Sequence, residues 1–411
     1  MLTENAITNP SCMKKFTLLM QTIAYNSLIM KQVELGMPGI HDPAENDLRF
    51  DFSELKDHGG IDRVGELNPY VTLACDLRCG YCYMGDFLQT AKNTTELMPR
   101  RFLAEMIDTL IDDGQGLDRM TFLGGEPTLH PEITGMINDA AERDISQLRM
   151  TTNGVSLHNL DLSRMKEGAF DCVSVSIDGV NAEDNDATRG RGTFKRIIQT
   201  LTSYREAQVP LSINYTVTTR NIARLQQTAE FFHGLGAATI NFHRASLNGT
   251  AYDNPELIVG PGEWVAARDG LLDHIKDNAQ DYSGMSFRIP YTFLTAQQMV
   301  DLSYSPIQEN NYHSPNGGHR LITLPPTPSG QGLCYMSSDL IGEANTELGR
   351  ISPTGTFRWN EHPRNELTVY RDKGSATPNI STYITGQEQQ AEPSEKGLVR
   401  VSHSFKAVVE C

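Results

Sequence analysis

Three cysteines stand close together in the sequence, Cys75, Cys79 and Cys82, with the spacing C-x3-C-x2-C. Thiolates are the ligands of iron–sulfur clusters, and three of them can hold three irons of a [4Fe–4S] cube. The fourth iron then stays open to a small molecule, to which the cluster can pass an electron. Because electron carriers usually close all four corners with cysteine, the spacing indicates a catalytic cluster.

Zinc is the alternative metal for such a run of cysteines. A structural zinc site has four ligands, and the nearest upstream histidine, His58, lies in a polar turn, so we expect iron. The four other cysteines are scattered, and a total of seven does not predict a disulfide framework. Thiolates that hold iron require a reducing compartment, so we expect a cytoplasmic protein.

A second chemical pattern, Gly124-Gly125-Glu126-Pro127, directly follows a predicted strand. The two glycines allow the backbone to approach a ligand closely. The carboxylate of Glu126 and a backbone carbonyl at the strand end can accept hydrogen bonds from a primary ammonium group. Taken alone, this tetrapeptide is typical of a turn, but its position after a strand and downstream of the cysteines favours a binding site.

Four ordered motifs together resemble the radical S-adenosylmethionine (SAM) superfamily across roughly residues 66–250. They are the cysteine run with Tyr81 before its last cysteine, Gly124–Pro127, Thr152-Asn153-Gly154 and Ser176-Ile177-Asp178-Gly179. The resemblance implies a [4Fe–4S] cluster on the three cysteines and SAM as the second cofactor. It also implies a radical SAM enzyme with a partial TIM-like barrel.

The resemblance further assigns roles in SAM binding. The segment Gly124–Pro127 would bind the SAM amino group, Ser176 its methionine part or ribose, and Arg189 its carboxylate. Arg191 competes with Arg189, which can equally be a solvated charge. The full set of expected cofactor-binding residues is Tyr81, Gly124, Gly125, Glu126, Pro127, Thr152, Asn153, Ser176, Asp178, Arg189 and Asn214.

Two residues are candidates for catalysis beyond the cofactors. His243 ends a predicted strand and can hold substrate or relay protons near pH 7, although a structural histidine fits equally well. Cys334 can serve as the hydrogen-atom donor of an epimerisation, with an inert thiol as the alternative. On its own strand, Cys172 is expected to face the core.

The segment from Cys334 to Trp359 resembles a SPASM or twitch extension, but the second cysteine of that pattern is missing. We therefore expect no second cluster, which favours a redox-neutral reaction such as epimerisation or rearrangement. The expected substrate is a small molecule, a sugar or a peptide of specialised metabolism. An oxidative peptide maturase and a non-catalytic iron–sulfur protein are the alternatives, and a flavodoxin- or ferredoxin-type protein is the expected reductant.

The elements that must position these residues alternate in an α/β pattern. Short apolar runs end in polar or glycine residues and alternate with helical periods, which predicts parallel strands and crossover helices. Six such strands predict a partial (β/α)6 TIM-like barrel, with ligands at the carboxyl ends of the strands. The predicted strands are 70–75, 120–123, 148–152, 172–177, 211–217 and 238–242.

Length and charge limit the remaining possibilities. The chain has 411 residues, and we expect an N-terminal helical extension at 1–65, the core barrel at 66–250 and a loop-rich region at 251–411 with a twitch-like remnant around 334–360. A net charge of −16 without a basic stripe argues against nucleic acid as a partner. No apolar stretch is long enough to span a bilayer, so we expect no membrane partner.

Overall fold

One large twelve-stranded sheet dominates the described part of the chain. The computed structural model describes residues 48, 50–85, 88, 97–112, 116–295, 318–326, 331–336, 341, 347–360, 398–400 and 406–410. Most of the N-terminal helical extension expected at 1–65, residues 1–47 and 49, lies outside these residues.

The elements alternate between strands and helices along most of this length. The described helices are α1 Ser53–Asp57, α2 Arg100–Asp112, α3 Ile133–Ala141, α4 Ala182–Arg189, α5 Thr193–Glu206, α6 Leu225–Gly234 and α7 Pro261–Asp277. The strands are β1 Val64–Pro69, β2 Arg119–Phe122, β3 Leu148–Thr152, β4 Cys172–Ser176, β5 Leu211–Val217, β6 Thr239–Arg244, β7 Ser286–Pro290, β8 Phe293–Thr295, β9 His319–Pro326, β10 Gly332–Tyr335, β11 Gly349–Ile351, β12 Phe357–Trp359, β13 Leu398–Arg400 and β14 Lys406–Glu410.

Eight neighbouring strands of the sheet are parallel. The order is β12-β11-β10-β9-β1-β2-β3-β4-β5-β6-β7-β14, and β1 to β7 follow one another in sequence order. Strand β9 pairs in parallel with β1, whereas β10, β11, β12 and β14 pair antiparallel with their neighbours. This is the α/β, TIM-like arrangement that the sequence predicts, and it brings the carboxyl ends of β1 to β6 to the same edge.

The two faces of the parallel strands differ in chemistry. One face is apolar and buried, as at Met120, Val173, Ile213 and Phe287, and it packs into the main hydrophobic core. The residues that alternate with these are mainly polar and only partly buried in β2, β3 and β4. A sheet covered on both faces shows no such alternation, so the polar face lines an open interior.

Several local expectations differ from the structure. The strand expected at 70–75 lies earlier, at β1, because after Pro69 the backbone leaves the ladder to pair with the turn after β2. Cys172 does not face the core: it is half-buried and lies on the polar face with Ser174 and Ser176, so that prediction is wrong. The region after residue 260 contains more regular structure than its composition predicts, including α7 and β7.

No helix in the described part of the chain has both the length and the apolar character needed to cross a membrane.

Candidate active site

The three cysteines lie in the loop that follows β1, and distant segments hold this loop in place. From the turns after β6, the Thr250 hydroxyl donates to the carbonyl of Cys79 (2.9 Å) and the Asn254 amide donates to the carbonyl of Gly80 (3.1 Å). The N–H of Gly80 donates to the carbonyl of Thr188 at 3.1 Å, near the end of α4. The loop is therefore fixed by parts of the chain that lie more than 100 residues away.

The thiols of this loop are partly buried and chemically suited to a cluster. Burial raises the pKa of Cys75 to about 12 and that of Cys79 to about 11, so these thiols need a bound cation to become ligands at neutral pH. Among the described residues, no three His, Cys, Asp or Glu side chains are grouped as ligands of one metal ion. Three soft thiolate donors fit the separate corners of an iron–sulfur cluster.

The turn after β2 lies against the backbone that leads into the cysteine loop. The N–H of Gly125 donates to Thr72 O (2.8 Å), and the next N–H donates to Ala74 O (2.7 Å). A Cβ on Gly125 would lie 2.3 Å from Ala74 O, and one on Gly124 would lie 2.7 Å from Thr72 O. Only glycine permits this approach, which places the turn beside Cys75.

Glu126 is fully buried and accepts four hydrogen bonds from the protein. The donors are the N–H (3.1 Å) and hydroxyl (2.7 Å) of Thr128, the Thr152 hydroxyl (2.8 Å) and the N–H of Asn153 (2.6 Å). Burial raises the pKa of this carboxyl group, and the four donors oppose that rise. Pro127 begins the short 3-10 turn that brings Thr128 into position, so this carboxylate joins the ends of β2 and β3.

A second connection joins the end of β3 to the cysteine loop. The Asn153 amide donates to Asp76 Oδ1 at 2.7 Å, and His158 Nε2 lies 3.1 Å from Asp76 Oδ2. Burial raises the pKa of Asp76, but the hydrogen bonds from His158 and Asn153 outweigh this and hold it below the usual range. Asp76 follows the first cysteine, so both contacts set the course of the cysteine loop.

Asp178 is fully buried at the end of β4 and collects donors from three elements. Arg189 donates to this carboxylate through Nε (2.8 Å) and Nη2 (3.2 Å). The Thr188 hydroxyl (3.0 Å) and the N–H of Thr216 (3.1 Å) also donate to it. The Tyr81 hydroxyl also donates to Asp178, and the Arg189 guanidinium lies 5.8 Å from the Tyr81 ring. This carboxylate thus ties the cysteine loop to β4, α4 and β5.

These networks give two of the expected SAM-binding residues a structural role as well. Arg189 was expected to meet the SAM carboxylate, but its Nε and Nη2 already pair with Asp178, and in the described part of the chain Nη1 makes no hydrogen bond. Glu126 was expected to meet the SAM ammonium, but its carboxylate is occupied by protein donors. Both side chains hold the site together because a buried charge needs a partner.

Three further candidates lie on the polar face near the carboxyl ends of their strands. Ser176 is the last residue of β4 and pairs in register with Asn214 of β5. Asn214 accepts a hydrogen bond from the Asn241 amide at 3.1 Å. His243 is exposed and pairs in register with Thr216, so it lies above Asn241 on the same face. These side chains lie on the polar face of three neighbouring strands, β4, β5 and β6.

Cys334 lies elsewhere. It is on β10, beyond β9 and β1, and its side chain is fully buried in the hydrophobic core. Burial raises the pKa of its thiol well above the usual range. This placement does not support a role as hydrogen-atom donor, because the thiol does not reach the polar interior.

Sequence reasoning missed Asp76, His158, Thr250 and Asn254, which position the cysteine loop. Each of these residues contacts a partner that is distant in the sequence. The separation is 77 residues between Asp76 and Asn153 and 171 residues between Thr250 and Cys79. No local pattern reports contacts over such separations. For Asp76, its place between two candidate ligands was the only available signal.

Comparisons with known proteins identify this arrangement. A family described as "Radical SAM superfamily" matches residues 70–232, which include the cysteine loop, both carboxylate networks and α4. Mycofactocin maturase MftC of Mycobacterium tuberculosis is 29% identical over 197 residues, 47% of this chain and 48% of that protein. The chain thus matches about half the length of that relative.

Two further matches cover more of the chain. The AdoMet-dependent heme synthase of Methanosarcina barkeri is 26% identical over 288 residues, covering 69% of this chain and 75% of that protein. The crystal structure of Streptococcus suis SuiB bound to the precursor peptide SuiA has a TM-score of 0.58 at 16% identity, covering 87% of this chain and 81% of that one. The structural match supports the fold.

Proposed function

Because the chain belongs to the radical SAM superfamily, we propose that it is an enzyme that removes a hydrogen atom from a carbon of its substrate. When bound, the cofactors supply the chemistry: an electron from a [4Fe–4S] cluster cleaves SAM into methionine and a 5′-deoxyadenosyl radical, which takes the hydrogen atom. The observation that carries the proposal is the packing of the cysteine loop against the Gly124–Gly125 turn and the Asp178–Arg189 pair.

The protein's own residues bind and orient in this scheme. Cys75, Cys79 and Cys82 hold three irons. Backbone carbonyls of the Gly124–Gly125 turn accept hydrogen bonds from the SAM ammonium. Arg189 remains oriented by Asp178 and offers its Nη1 hydrogens to the SAM carboxylate.

The polar interior positions the substrate below this cofactor site. Ser176 and Asn214 lie side by side on the polar face and contact SAM or substrate. His243, exposed at the end of β6, holds the substrate or moves a proton.

We propose a redox-neutral outcome, such as epimerisation or rearrangement. Outside the cysteine loop, the described residues include only Cys172 and Cys334, which lie on separate strands, β4 and β10. This placement does not favour a second cluster that would accept electrons from the substrate. A one-electron donor of the flavodoxin or ferredoxin type, within a reducing cytoplasm, completes the scheme.

Oxidative maturation of a peptide is the second candidate. It is favoured by the similarity to a maturase, MftC, and by a fold shared with SuiB, which was solved with a precursor peptide. The iron content separates the two candidates: about four irons per chain fit the redox-neutral reaction, and about eight fit an enzyme with an auxiliary cluster.

The test is reconstitution with iron and sulfide in the absence of oxygen, followed by reduction with SAM present and assay of 5′-deoxyadenosine. We expect about four irons per chain and formation of 5′-deoxyadenosine. The variant C75A/C79A/C82A should lose both. The matched control C334A, which removes a buried thiol away from the site, should keep both.

Two results contradict the proposal. Uptake of zinc in preference to iron and sulfide would indicate a structural metal site. A fully loaded cluster that never yields 5′-deoxyadenosine, with SAM and a strong reductant present, would indicate a non-catalytic iron–sulfur protein.

A further inference from the structure

The polar interior contains two arginines that have no hydrogen-bond or ion-pair partner among the described residues. Arg149 on β3 and Arg288 on β7 are both partly buried on the polar side of their strands. Within the described part of the chain, neither makes an ion pair or a hydrogen bond, and Arg149 Nε is buried without any partner. A buried N–H without an acceptor is unfavourable, so the Arg149 side chain is expected to meet a ligand.

The register places both arginines on the same face. Arg149 pairs with Cys172, and Arg288 pairs with Asn241. The Asn241 amide donates to the Ser212 hydroxyl at 2.8 Å, on the strand next to β4. Burial raises the pKa of the Cys172 thiol, and the charges of both Arg149 and Arg288 oppose that rise, so both guanidiniums lie within electrostatic range of one thiol.

The surrounding charges make this part of the interior basic. Glu66 is the only acidic residue within the eight parallel strands, and it is already paired with Arg320 (3.0 Å) and Arg119 (3.6 Å). The polar face therefore carries four arginines and one carboxylate, although the net charge of the chain is −16. The arginines are Arg119, Arg149, Arg288 and Arg320. A basic interior attracts anions even though the protein as a whole is acidic.

We propose that Arg149 and Arg288 form an anion site that binds a carboxylate group of the substrate. The proposal rests on the function proposed above and names its substrate class, a carboxylate-bearing molecule. Two planar guanidiniums suit the two oxygens of a carboxylate. Arg149 precedes Thr152 by three residues on β3, so the carboxylate lies roughly 10 Å below the strand ends. A substrate held there has its reacting carbon about that far from its anionic end.

The test measures binding of small probes to the full chain, reconstituted without oxygen and saturated with SAM. The probes are glutarate, its neutral analogue glutaramide and inorganic phosphate, each titrated calorimetrically at millimolar concentration. The variant R149Q/R288Q is compared with R205Q/R220Q, which removes two exposed arginines with the same change in net charge. If the double variant does not fold, the single variant R288Q takes its place in the titrations.

We expect glutarate, and not glutaramide, to bind the wild type and the surface control. R288Q should weaken glutarate binding roughly tenfold, and the double variant more strongly. Three results would overturn the proposal: no glutarate binding to the wild type, equal binding by R149Q/R288Q, or binding of phosphate without glutarate.

Formation of 5′-deoxyadenosine in the absence of substrate separates this proposal from the preceding one. The variant R149Q/R288Q should retain that uncoupled reaction but no longer bind glutarate. A wild type that binds glutarate through the two arginines but never cleaves SAM would support the anion site and contradict the enzymatic function.

Discussion

The carboxyl ends of the strands and the interior below them both contain charged groups. The two regions differ in whether those groups have hydrogen-bond partners within the described part of the chain. At the strand ends, Glu126 and Asp178 each accept at least four hydrogen bonds from the protein. In the interior, Arg149 and Arg288 have no partner among the described residues. A charge that is satisfied by the chain builds the scaffold, whereas one left unsatisfied is available to a ligand.

This difference assigns separate tasks to the two regions. The paired carboxylates each join segments that are distant in sequence, so they fix the geometry of the cysteine loop before any cofactor binds. Pre-organisation of this kind lowers the cost of binding. The interior arginines contribute nothing of this sort, and their removal should affect recognition and leave the fold intact.

The largest expected effect is that of Asp178→Ala. It leaves the guanidinium of Arg189 buried and unpaired, which typically costs roughly 3–5 kcal/mol of unfolding free energy. The interior counterpart, Arg149→Ala, should change stability by less than about 0.5 kcal/mol because it breaks no hydrogen bond or ion pair among the described residues. Urea unfolding of both variants with linear extrapolation measures the difference.

Equal losses in the two variants would contradict the comparison, since they would mean that Arg149 has a structural partner. Asp178→Asn serves as an intermediate case. It keeps the shape and one acceptor oxygen but removes the charge, so its loss of stability should lie between those of the other two.

A smaller effect is expected from Gly125→Ala at the strand ends. Its Cβ would lie 2.3 Å from a backbone oxygen that cannot move aside, and such overpacking costs roughly 1–3 kcal/mol. The matched control is Gly270→Ala in α7, where nothing lies within 4 Å of the added Cβ. The control should gain about 0.5–1 kcal/mol from helix propensity.

Thermal unfolding of both glycine variants, with the iron content of the reconstituted proteins, checks this prediction. Gly125→Ala should also incorporate less iron because the turn supports the cysteine loop. A destabilised variant that still incorporates iron like the wild type would show that the turn is not needed to shape the loop.

The sequence predicted the α/β class and strands β2 to β6 because apolar alternation and strand-end motifs are local signals. Strand β7 was missed, and with it Arg288, because its five residues lie in a region whose turn-rich composition indicated loops. The pairing of Arg189 with Asp178 was also missed. An arginine at that position suits a ligand carboxylate as well as a protein one, and only the folded geometry shows that Asp178 takes its Nε and Nη2.

The smallest expected effect concerns His130, which makes the strand-end region sensitive to pH while the interior arginines stay charged. This imidazole is buried, and its Nε2–H donates to Met98 O (3.0 Å) while Nδ1 accepts the N–H of Glu132 (3.1 Å). Protonation would place two hydrogens face to face at Nδ1. Burial lowers the pKa of His130 to about 4, from an ordinary value of 6.5.

The sign of the pH dependence follows from that shift. Below pH 6.5 the unfolded chain binds this proton before the folded chain does, so stability is lost as the pH falls from 6.5 towards 4. The slope contributed by this residue approaches about 1 kcal/mol per pH unit within that window. In His130→Gln this contribution should disappear, which urea unfolding at pH 7 and pH 5 and constant ionic strength will measure. If the variant kept the full dependence of stability on pH, another group would be the source of the acid sensitivity. His130 would then not make the strand-end region sensitive to pH.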